Sequence, residues 1–278
     1  MTSQTAPAIA FIGGGNMASA LISGLVRAGR APAEILVIEP GEAQRARLKA
    51  DFGVQTAAAA DAALGSAALV VWAVKPQVFN QAAAPCAEHV RGALHLSVMA
   101  GIRCATIARS IGVAPAQAHV VRSMPNTPAL IGRGIAGLFA TPAVSASQRQ
   151  SVEQVLAPTG QVLWVAAEAD LDAVTALSGS GPAYIFLFLE AMMAAATDMG
   201  LSAAQGRQLA LATFDGATAL AAQSDESPSV LRERVTSPGG TTQAALQSMA
   251  GAGVAPALIA AIRAAQWRAL ELGDEFGA

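Results

Sequence analysis

Aromatic side chains and cysteine are scarce in this chain of 278 residues. Aromatic residues make up 4% of the sequence, although hydrophobic residues make up 53%. Because much of that apolar content is alanine, we expect closely packed helices. The two cysteines, Cys86 and Cys104, form no C-x-x-C pair, and the three histidines show no H-x-x-x-H spacing. The sequence therefore predicts reduced structural thiols in a cytoplasmic protein, structural or surface histidines, and no metal site.

Charge and long hydrophobic runs are also sparse. The net charge is −2, and no run of lysine and arginine appears, which argues against a nucleic-acid partner. The longest apolar stretch, Tyr184–Ala196, contains Glu190 and is shorter than a bilayer span requires. The first residues lack the basic region of a signal peptide. We therefore expect neither nucleic-acid nor membrane partners.

Strand and helix patterns alternate in the first part of the chain. Helical patterns such as Glu42–Phe52 and Ser147–Leu156 separate short apolar runs. Continuous apolar runs are typical of strands that are buried on both faces of a parallel sheet. The alternation predicts an α/β domain over residues 1–165, a Rossmann-like doubly wound sheet. Its predicted strands are Ala8–Ile12, Ile35–Glu39, Ala68–Val74, Leu94–Val98, Ala118–Arg122, Ile135–Ala140 and Gln161–Val165.

After about Val165 the strand patterns stop and long helical patterns follow. Prolines in first turns and glycines after last turns support their bounds. The patterns predict an all-helical domain over residues 166–278. Its apolar faces are broad, so we expect a second subunit to cover them, in a homodimer or a multimer of dimers. The predicted helices are Leu171–Leu177, Pro182–Met199, Ala203–Gln223, Pro228–Val235, Thr242–Met249 and Pro256–Leu272.

The segment Ala8–Ala18 carries the strongest single motif. Gly13, Gly15 and Ala18 fit the pattern G-x-G-x-x-A between a strand and a helix. The first glycine allows a tight turn, the second lets backbone approach a pyrophosphate, and the small third residue lets the helix pack on the strand. The motif predicts a nucleotide site at the helix start, with an ordinary strand–helix turn as the alternative.

Glu39 ends the second predicted strand, where a Rossmann fold faces the adenine ribose. A carboxylate there accepts hydrogen bonds from the ribose hydroxyls of NAD and repels the 2′-phosphate of NADP. The N–H groups near Gly41, together with Arg45, would still suit a phosphate. A solvated side chain at a strand end is the alternative. The residues at this strand end therefore do not choose between NAD and NADP.

Two further loops follow predicted strands. Lys75 and Pro76 leave a strand at the ligand edge of the sheet, where an ammonium suits a nicotinamide ribose or phosphate charge. The loop Met124–Pro128 offers amide and hydroxyl groups on a backbone stiffened by two prolines, which suits positioning a nicotinamide ring. Each pattern alone would also fit a surface lysine or a plain turn.

Two loops in the helical part are rich in glycine and hydroxyl groups. Ser178–Tyr184 permits a close backbone approach, and a hydroxyl-capped helix start is the alternative. Ser237–Thr242 joins two helices through consecutive glycines. It gathers free N–H groups at a positive helix end, which predicts a carboxylate or phosphate site.

In their order and spacing, the motifs resemble those of the pyrroline-5-carboxylate reductase family. The resemblance covers nearly the whole chain. It implies a dinucleotide-binding domain, a helical substrate-binding and dimerisation domain, and a site where the two meet across subunits. It also implies an oxidoreductase that transfers a hydride from NADPH or NADH to 1-pyrroline-5-carboxylate, giving L-proline in the last step of proline biosynthesis. The matching motifs are Phe11–Ala18, Ala73–Pro76, Met124–Pro128, Ser178–Tyr184 and Ser237–Thr242.

The resemblance also implies roles for individual residues. Thr242 and Lys75 are the candidate catalytic residues, and helix capping is the alternative role for Thr242. The cofactor-binding residues would be Gly13, Gly15, Asn16, Met17, Glu39, Ala73, Lys75, Pro76, Asn126 and Thr127. The substrate-binding residues would be Ser237, Gly239, Gly240, Thr241 and Thr242.

The sequence departs from the family pattern at two positions. Family members often carry a neutral or basic side chain near Glu39, and Ala60 stands where some have a polar ribose contact. Two rival functions remain. A β-hydroxyacid dehydrogenase would need a lysine on its helical domain, and the chain has none after Lys75. A non-catalytic nucleotide-sensing module would not need nicotinamide-positioning loops.

Overall fold

The strands gather into one sheet in the first part of the chain. The computed structural model describes residues 8–277. Within that range eight strands pair in the order β3-β2-β1-β4-β5-β6-β7-β8. They are β1 (Ile9–Ile12), β2 (Ile35–Ile38), β3 (Gln55–Ala57), β4 (Leu69–Trp72), β5 (Leu94–Ser97), β6 (Val120–Met124), β7 (Gly134–Ala140) and β8 (Gly160–Trp164).

The first six strands are parallel, and the last two run the other way. Strand β1 pairs in parallel with β2 and β4, and the parallel ladder continues from β4 through β5 to β6. Strand β7 is antiparallel to β6 and parallel to β8. The predicted α/β fold class is confirmed. The periodicity showed neither the reversal at β7 nor the three-residue strand β3.

Helices separate the strands and then continue alone after β8. The prediction that strands stop near Val165 is confirmed. The α-helices in the described range are α1 (Asn16–Arg27), α2 (Glu42–Phe52), α3 (Phe79–Ala83), α4 (Ala87–Val90), α5 (Cys104–Ser110), α6 (Ala146–Leu156), α7 (Asp170–Val174), α8 (Gly181–Asp198), α9 (Ala203–Ala222), α10 (Pro228–Arg234), α11 (Thr241–Gly251) and α12 (Val254–Gly277).

Apolar cores cover both faces of the sheet. Ile9 and Phe11 of β1 join the cluster that contains Leu21 of α1, on one face. Ile12 joins the cluster on the other face, which contains Phe79 of α3. Side chains alternate between the two faces along a strand, so burial on both sides requires an uninterrupted apolar run. This is why β1 lacks the alternation of a half-exposed strand.

Helix α2 has the bounds that the sequence predicts. It begins at Glu42 and ends at Phe52. Gly53 then takes the left-handed conformation, with φ +70°, and its N–H donates to the carbonyl of Lys49. A glycine terminates the helix at little steric cost, because it has no Cβ.

The segment from α7 to α8 differs from its prediction. Instead of two helices and a loop, α7 continues through a π-helical turn, Thr175–Gly179, into α8. The Ser180 N–H donates to Thr175 O at 2.8 Å, and the Ser178 hydroxyl donates back to Val174 O at 3.1 Å. The alternative of a hydroxyl-capped helix start within Ser178–Tyr184 is therefore wrong, since Ser180 also has helical backbone angles.

This continuous helix also corrects the estimate of apolar length. Asp170–Asp198 spans 29 residues, and an 18-residue window within it has a mean hydropathy of 1.2, so the helix is long and apolar enough to cross a membrane by length and composition alone. The sequence estimate was shorter because it counted only Tyr184–Ala196. Apolar helix faces also occur at subunit interfaces, and the expectation of a cytoplasmic protein without a membrane partner stays a prediction.

The chain divides into two compact units. The first comprises Met1–Ser180 and Ala265–Ala278, and the second comprises Gly181–Ala264. The boundary predicted from the sequence, at residue 165, follows the last strand. The division in the structure falls after the π turn, and it assigns the end of α12 to the first unit. The structural reason is that Asp172 of α7 and Gly273 of α12 both pack against Arg103 of the first unit.

His95 is a buried histidine in the sheet. It lies on β5 and is 1% exposed. Trp72 Nε1–H donates to its Nδ1 at 3.1 Å, and the two rings are stacked. Burial lowers the pKa of His95 from 6.5 to about 4. The ring is therefore neutral at neutral pH and serves as a structural acceptor.

This shift predicts a stability that falls with acid. The unfolded chain binds a proton at His95 near pH 6.5, and the folded chain does so near pH 4. Between these values the unfolded state holds more protons, so acid favours unfolding. We expect the free energy of unfolding to drop by about 2 kcal/mol between pH 7 and pH 5 from this group.

Chemical denaturation at the two pH values measures the drop. His95→Gln should flatten the dependence, because glutamine keeps an acceptor for Trp72 and does not titrate. His119→Gln is the matched control, because His119 is only partly buried. An equal pH dependence in wild type and His95→Gln would contradict the assignment.

Candidate functional site

A cavity of about 510 Å³ opens at the carboxyl ends of β1, β2 and β4. Its lining includes five residues that the sequence predicts for coenzyme binding: Gly13, Gly15, Glu39, Ala73 and Lys75. Three parallel strands deliver them to one edge of the sheet, where open α/β folds bind ligands. Asn16, Met17, Pro76, Asn126 and Thr127 are absent from the described lining.

Gly13 makes the tight turn after β1. Its φ is +96°, and a Cβ there would lie 2.7 Å from the carbonyl oxygen of Ala73. Only glycine tolerates both the backbone conformation and this contact with the end of β4. Gly15, in contrast, has open space where a Cβ would stand and is exposed. The backbone at Gly15 is therefore accessible to a ligand.

Helix α1 begins without a side-chain cap. Gly15 is its N-cap residue, and its first turn contains no acidic side chain. The N–H groups of a first helical turn have no acceptor within the helix. Together with the positive end of the helix dipole they suit a pyrophosphate. The turn and the helix start therefore fit a dinucleotide.

The Glu39 carboxylate is held against the glycine turn. Its Oε2 accepts the Gly14 N–H at 2.9 Å, and its Oε1 accepts the Gly41 N–H at 2.8 Å. Two backbone donors orient the carboxylate at the cavity wall. A negative charge thus stands at the end of β2, where a Rossmann fold faces the adenine ribose.

Arg45 is engaged by the backbone at the same strand end. Its Nη1 donates to Glu39 O at 2.7 Å and to Pro40 O at 2.6 Å. The Gly41 N–H is bound to Glu39, as described above. The Gly41 N–H and the Nη1 of Arg45, which would suit a 2′-phosphate, therefore have acceptors within the chain, and this arrangement favours ribose hydroxyls.

Lys75 follows β4 at the cavity wall. Its side chain is exposed, and its carbonyl accepts the Val78 N–H at 3.0 Å in the short turn that Pro76 begins. Cys86 also lines this cavity, which the sequence did not indicate because the thiol belongs to no motif. Burial raises the pKa of Cys86 to about 11, so its thiol stays protonated at neutral pH.

The loop after β6 has a structural function, and its role in positioning the nicotinamide stays a prediction. Asn126 Oδ1 accepts the Ile135 N–H at 3.0 Å and so holds the start of β7, while Thr127 is exposed. At Gly179 a Cβ would lie 2.7 Å from Met124 Cε. The small residue thus lets the π turn approach the loop, as the glycines of this motif indicate.

The turn before α11 lies in the second unit. The Gly240 N–H donates to Ser237 O at 3.0 Å, and Gly239 has a φ of +73°. Proline followed by a left-handed glycine is the residue order of a type II β-turn. The Gly239 N–H is bound by the side-chain oxygen of Gln243.

Helix α11 then begins at Thr241, one residue before its predicted start. Its N-cap is Gly240, with no side-chain cap and no acidic side chain in the first turn. Thr242 is the second helical residue, so the alternative that it caps the helix is wrong. The unsatisfied N–H groups of this turn suit a carboxylate.

Comparison with known proteins agrees with this geometry. Residues 168–272 match the family model for pyrroline-5-carboxylate reductase dimerisation, and residues 8–101 match that for NADP oxidoreductase, coenzyme F420-dependent. A pyrroline-5-carboxylate reductase of Pseudomonas aeruginosa is 42% identical over 99% of this chain and 100% of its own. The chain belongs to the pyrroline-5-carboxylate reductase family.

Solved structures of the family share the fold. A pyrroline-5-carboxylate reductase from Coxiella burnetii is 35% identical, with a TM-score of 0.87 over 96% of this chain and 99% of its own. The Plasmodium falciparum pyrroline carboxylate reductase, solved with NADP bound, is 25% identical, with a TM-score of 0.85 over 97% of this chain and 99% of its own. Membership makes the chain an NAD(P)H-dependent oxidoreductase acting on a C=N bond.

The held carboxylate predicts the coenzyme preference. Glu39→Ser should shift the ratio of kcat/KM values toward NADPH by about tenfold, or ~1.4 kcal/mol, because it removes a negative charge near the 2′-phosphate. Steady-state kinetics with both coenzymes measures the ratio. Glu42→Ser removes the same charge three residues away, in the first turn of α2, and should change the ratio less than about twofold. Equal shifts in the two variants would mean that Glu39 does not face the ribose.

Proposed function

We propose that this protein reduces 1-pyrroline-5-carboxylate to L-proline with NADH or NADPH as hydride donor. The observation that carries the proposal is the pair of bare, glycine-started helix N-termini. One of them, at α1, adjoins the cavity in the first unit, and the other, at α11, follows the Ser237–Gly240 turn. One suits a pyrophosphate and the other a carboxylate. Family membership supports the combination.

The coenzyme side of the site rests on the first unit. Gly13, Gly15 and the first turn of α1 bind the pyrophosphate, and Glu39 faces the adenine ribose. Lys75, the one cationic side chain among the described cavity-lining residues, lies near the nicotinamide ribose or balances phosphate charge. When bound, the reduced nicotinamide supplies the hydride that the imine carbon accepts.

The substrate side rests on the turn before α11. The free N–H groups in the first turn of α11 bind the substrate carboxylate, with Ser237, Gly240 and Thr241 around it. The Thr242 hydroxyl faces the ring nitrogen, which must end as a protonated amine. A protonated imine is already an electrophile, so the chain needs no strong acid here. Rate acceleration then comes mainly from proximity and orientation.

An assay of coenzyme oxidation tests the proposal. Purified protein is mixed with pyrroline-5-carboxylate and either NADH or NADPH, and the absorbance of the reduced nicotinamide is followed. We expect turnover with both coenzymes and L-proline as the product. Saturable coenzyme binding without turnover would instead support a nucleotide-sensing module.

Thr242→Val separates catalysis from binding. Valine keeps the shape and removes the hydroxyl at the second position of α11. We expect kcat to fall by about ten- to a hundredfold, or ~1.4–3 kcal/mol, as for one positioned hydrogen bond. Because the N-cap residue of α11 is Gly240, a fall in kcat in Thr242→Val cannot be explained by the loss of a helix cap. A lowered melting temperature with unchanged kcat would refute the catalytic role.

Gly240→Ala tests the carboxylate site in the same assay. A Cβ there would lie 3.1 Å from Ser237 O, so the turn must shift to accept it. The substrate carboxylate is charged before and during the reaction, so its contacts give uniform binding. We expect KM for the imine to rise, with kcat less affected. A normal KM would place the carboxylate elsewhere.

We also propose that the protein is a homodimer or a multimer of dimers. Helices α8 and α9 belong to the region matched by the dimerisation family model. They expose large apolar side chains, among them Phe186, Leu187, Leu209 and Leu220. An exposed apolar surface of this kind needs a partner.

Analytical ultracentrifugation at micromolar concentration measures the assembly. Wild type should sediment as a dimer or a multiple of it. Phe186→Glu should weaken the assembly by at least about tenfold, because a buried charge at an apolar interface is costly. A stable, active wild-type monomer would contradict the proposal.

A further inference from the structure

Arg103 forms a buried ion pair that the proposed chemistry does not use. It stands directly before α5, and its Nη2 lies 2.9 Å from Asp172 Oδ2 of α7. The Asp172 side chain is 3% exposed and the Arg103 side chain 22%. A carboxylate so well buried requires a charged or hydrogen-bonding partner. Removing either member should therefore move the segment that carries the other.

The same guanidinium lies against α12. A Cβ at Gly273 would stand 2.6 Å from Arg103 Nη2 and 3.0 Å from its Cζ and Nε atoms. A side chain at this position would therefore have to displace the guanidinium. Nearby, Gly101 has a φ of +75°, and a Cβ there would lie 3.1 Å from Leu272 O. The loop before α5 is thus shaped to receive α12.

A second carboxylate fixes the start of the α7 segment. Glu168 Oε1 accepts the Cys104 N–H at 2.7 Å and the Arg122 Nη1–H at 2.9 Å. Arg122 is 4% exposed and lies on β6, two residues before the loop Met124–Pro128. We call Arg103, Arg122, Glu168, Asp172 and Gly273 the arginine clasp.

The clasp lies where the chain leaves and re-enters the first unit. The chain passes into the second unit after Ser180 and returns at Ala265. Asp172 precedes the exit, and Gly273 follows the return. Arg103 therefore contacts both connecting segments, within the first unit. The second unit, which carries Thr242, is joined to the first unit covalently only through these segments.

We propose that Arg103 is a positioning residue for the reductase reaction. By holding Asp172 and Gly273 together, it fixes the two chain segments that connect the first unit to the second unit, which carries Thr242. None of the clasp residues is among the described residues that line the coenzyme cavity. Its loss should thus affect the imine and leave coenzyme binding unchanged. This inference rests on the proposed function.

Gly273→Ala is the most discriminating variant. Alanine has a higher helix propensity than glycine. If Gly273 had only a structural role in α12, the variant would have an equal or higher melting temperature and normal kinetics. The clasp predicts that the new methyl group displaces the guanidinium from Asp172. We expect kcat/KM for pyrroline-5-carboxylate to fall by about tenfold or more, since small misplacements of reacting groups are costly. The dissociation constant for NADH should stay within about twofold.

Arg103→Gln, Asp172→Asn and the double variant complete the test. In the full-length protein, the two single losses in kcat/KM should be non-additive, because both break one interaction. Arg103→Lys should recover part of the loss. Arg30→Gln, which breaks the surface pair with Glu34 in the same unit, is the matched control and should behave as wild type.

The outcomes separate the two proposals. If the wild type does not reduce pyrroline-5-carboxylate, the proposed function fails, and this inference fails with it. If the wild type is active and Gly273→Ala and Arg103→Gln keep its kcat/KM, the inference alone is overturned. Weakened NADH binding in either variant would also overturn it, because the effect would then lie in the coenzyme site.

Discussion

The close approach of the Gly13 turn to the end of β4 determines where the coenzyme site forms. A Cβ at Gly13 would stand 2.7 Å from Ala73 O and 2.9 Å from Val74 Cγ1, so the turn lies directly against the chain that follows β4. This contact sets the start of α1 over the carboxyl ends of β1 and β4. The open backbone at Gly15, the wall at Lys75 and the cavity between them follow from it. A larger residue at Gly13 would displace all three.

The same turn also fixes the orientation of the Glu39 carboxylate at the end of β2. A free carboxylate would be screened by water and by salt. Here the N–H groups of Gly14 and Gly41 hold it, so its charge stays at the cavity wall. Holding the carboxylate also uses donors that a phosphate would otherwise find at the start of α2. The predicted preference for ribose hydroxyls over a phosphate thus has one structural origin.

The sequence predicted the features that depend on local pattern. Apolar runs located β1 and β4, and Gly53 located the end of α2. The pattern did not show β3, whose three residues are only half buried, or the reversal of β7, because periodicity contains no strand direction. Nor did it find the pair of Arg103 with Asp172, since 69 residues separate them and neither belongs to a motif. The motifs predicted where the candidate site lies. The contacts between residues far apart in the sequence, which line and stabilise it, could be seen only in the structure.

Helix starts in this chain differ in how their N–H groups are satisfied. Ser145 and Ser202 cap α6 and α9 with complete capping boxes, which satisfy those helices internally. Helices α1, α2 and α11 begin at glycine without a side-chain cap. At α2 the Glu39 carboxylate supplies the missing acceptor. At α1 and α11 no acidic side chain stands in the first turn, so an anion from outside is the acceptor that fits. Of these three helices with a glycine N-cap, the two without an acidic side chain in the first turn are those where the proposed reaction needs a pyrophosphate and a carboxylate.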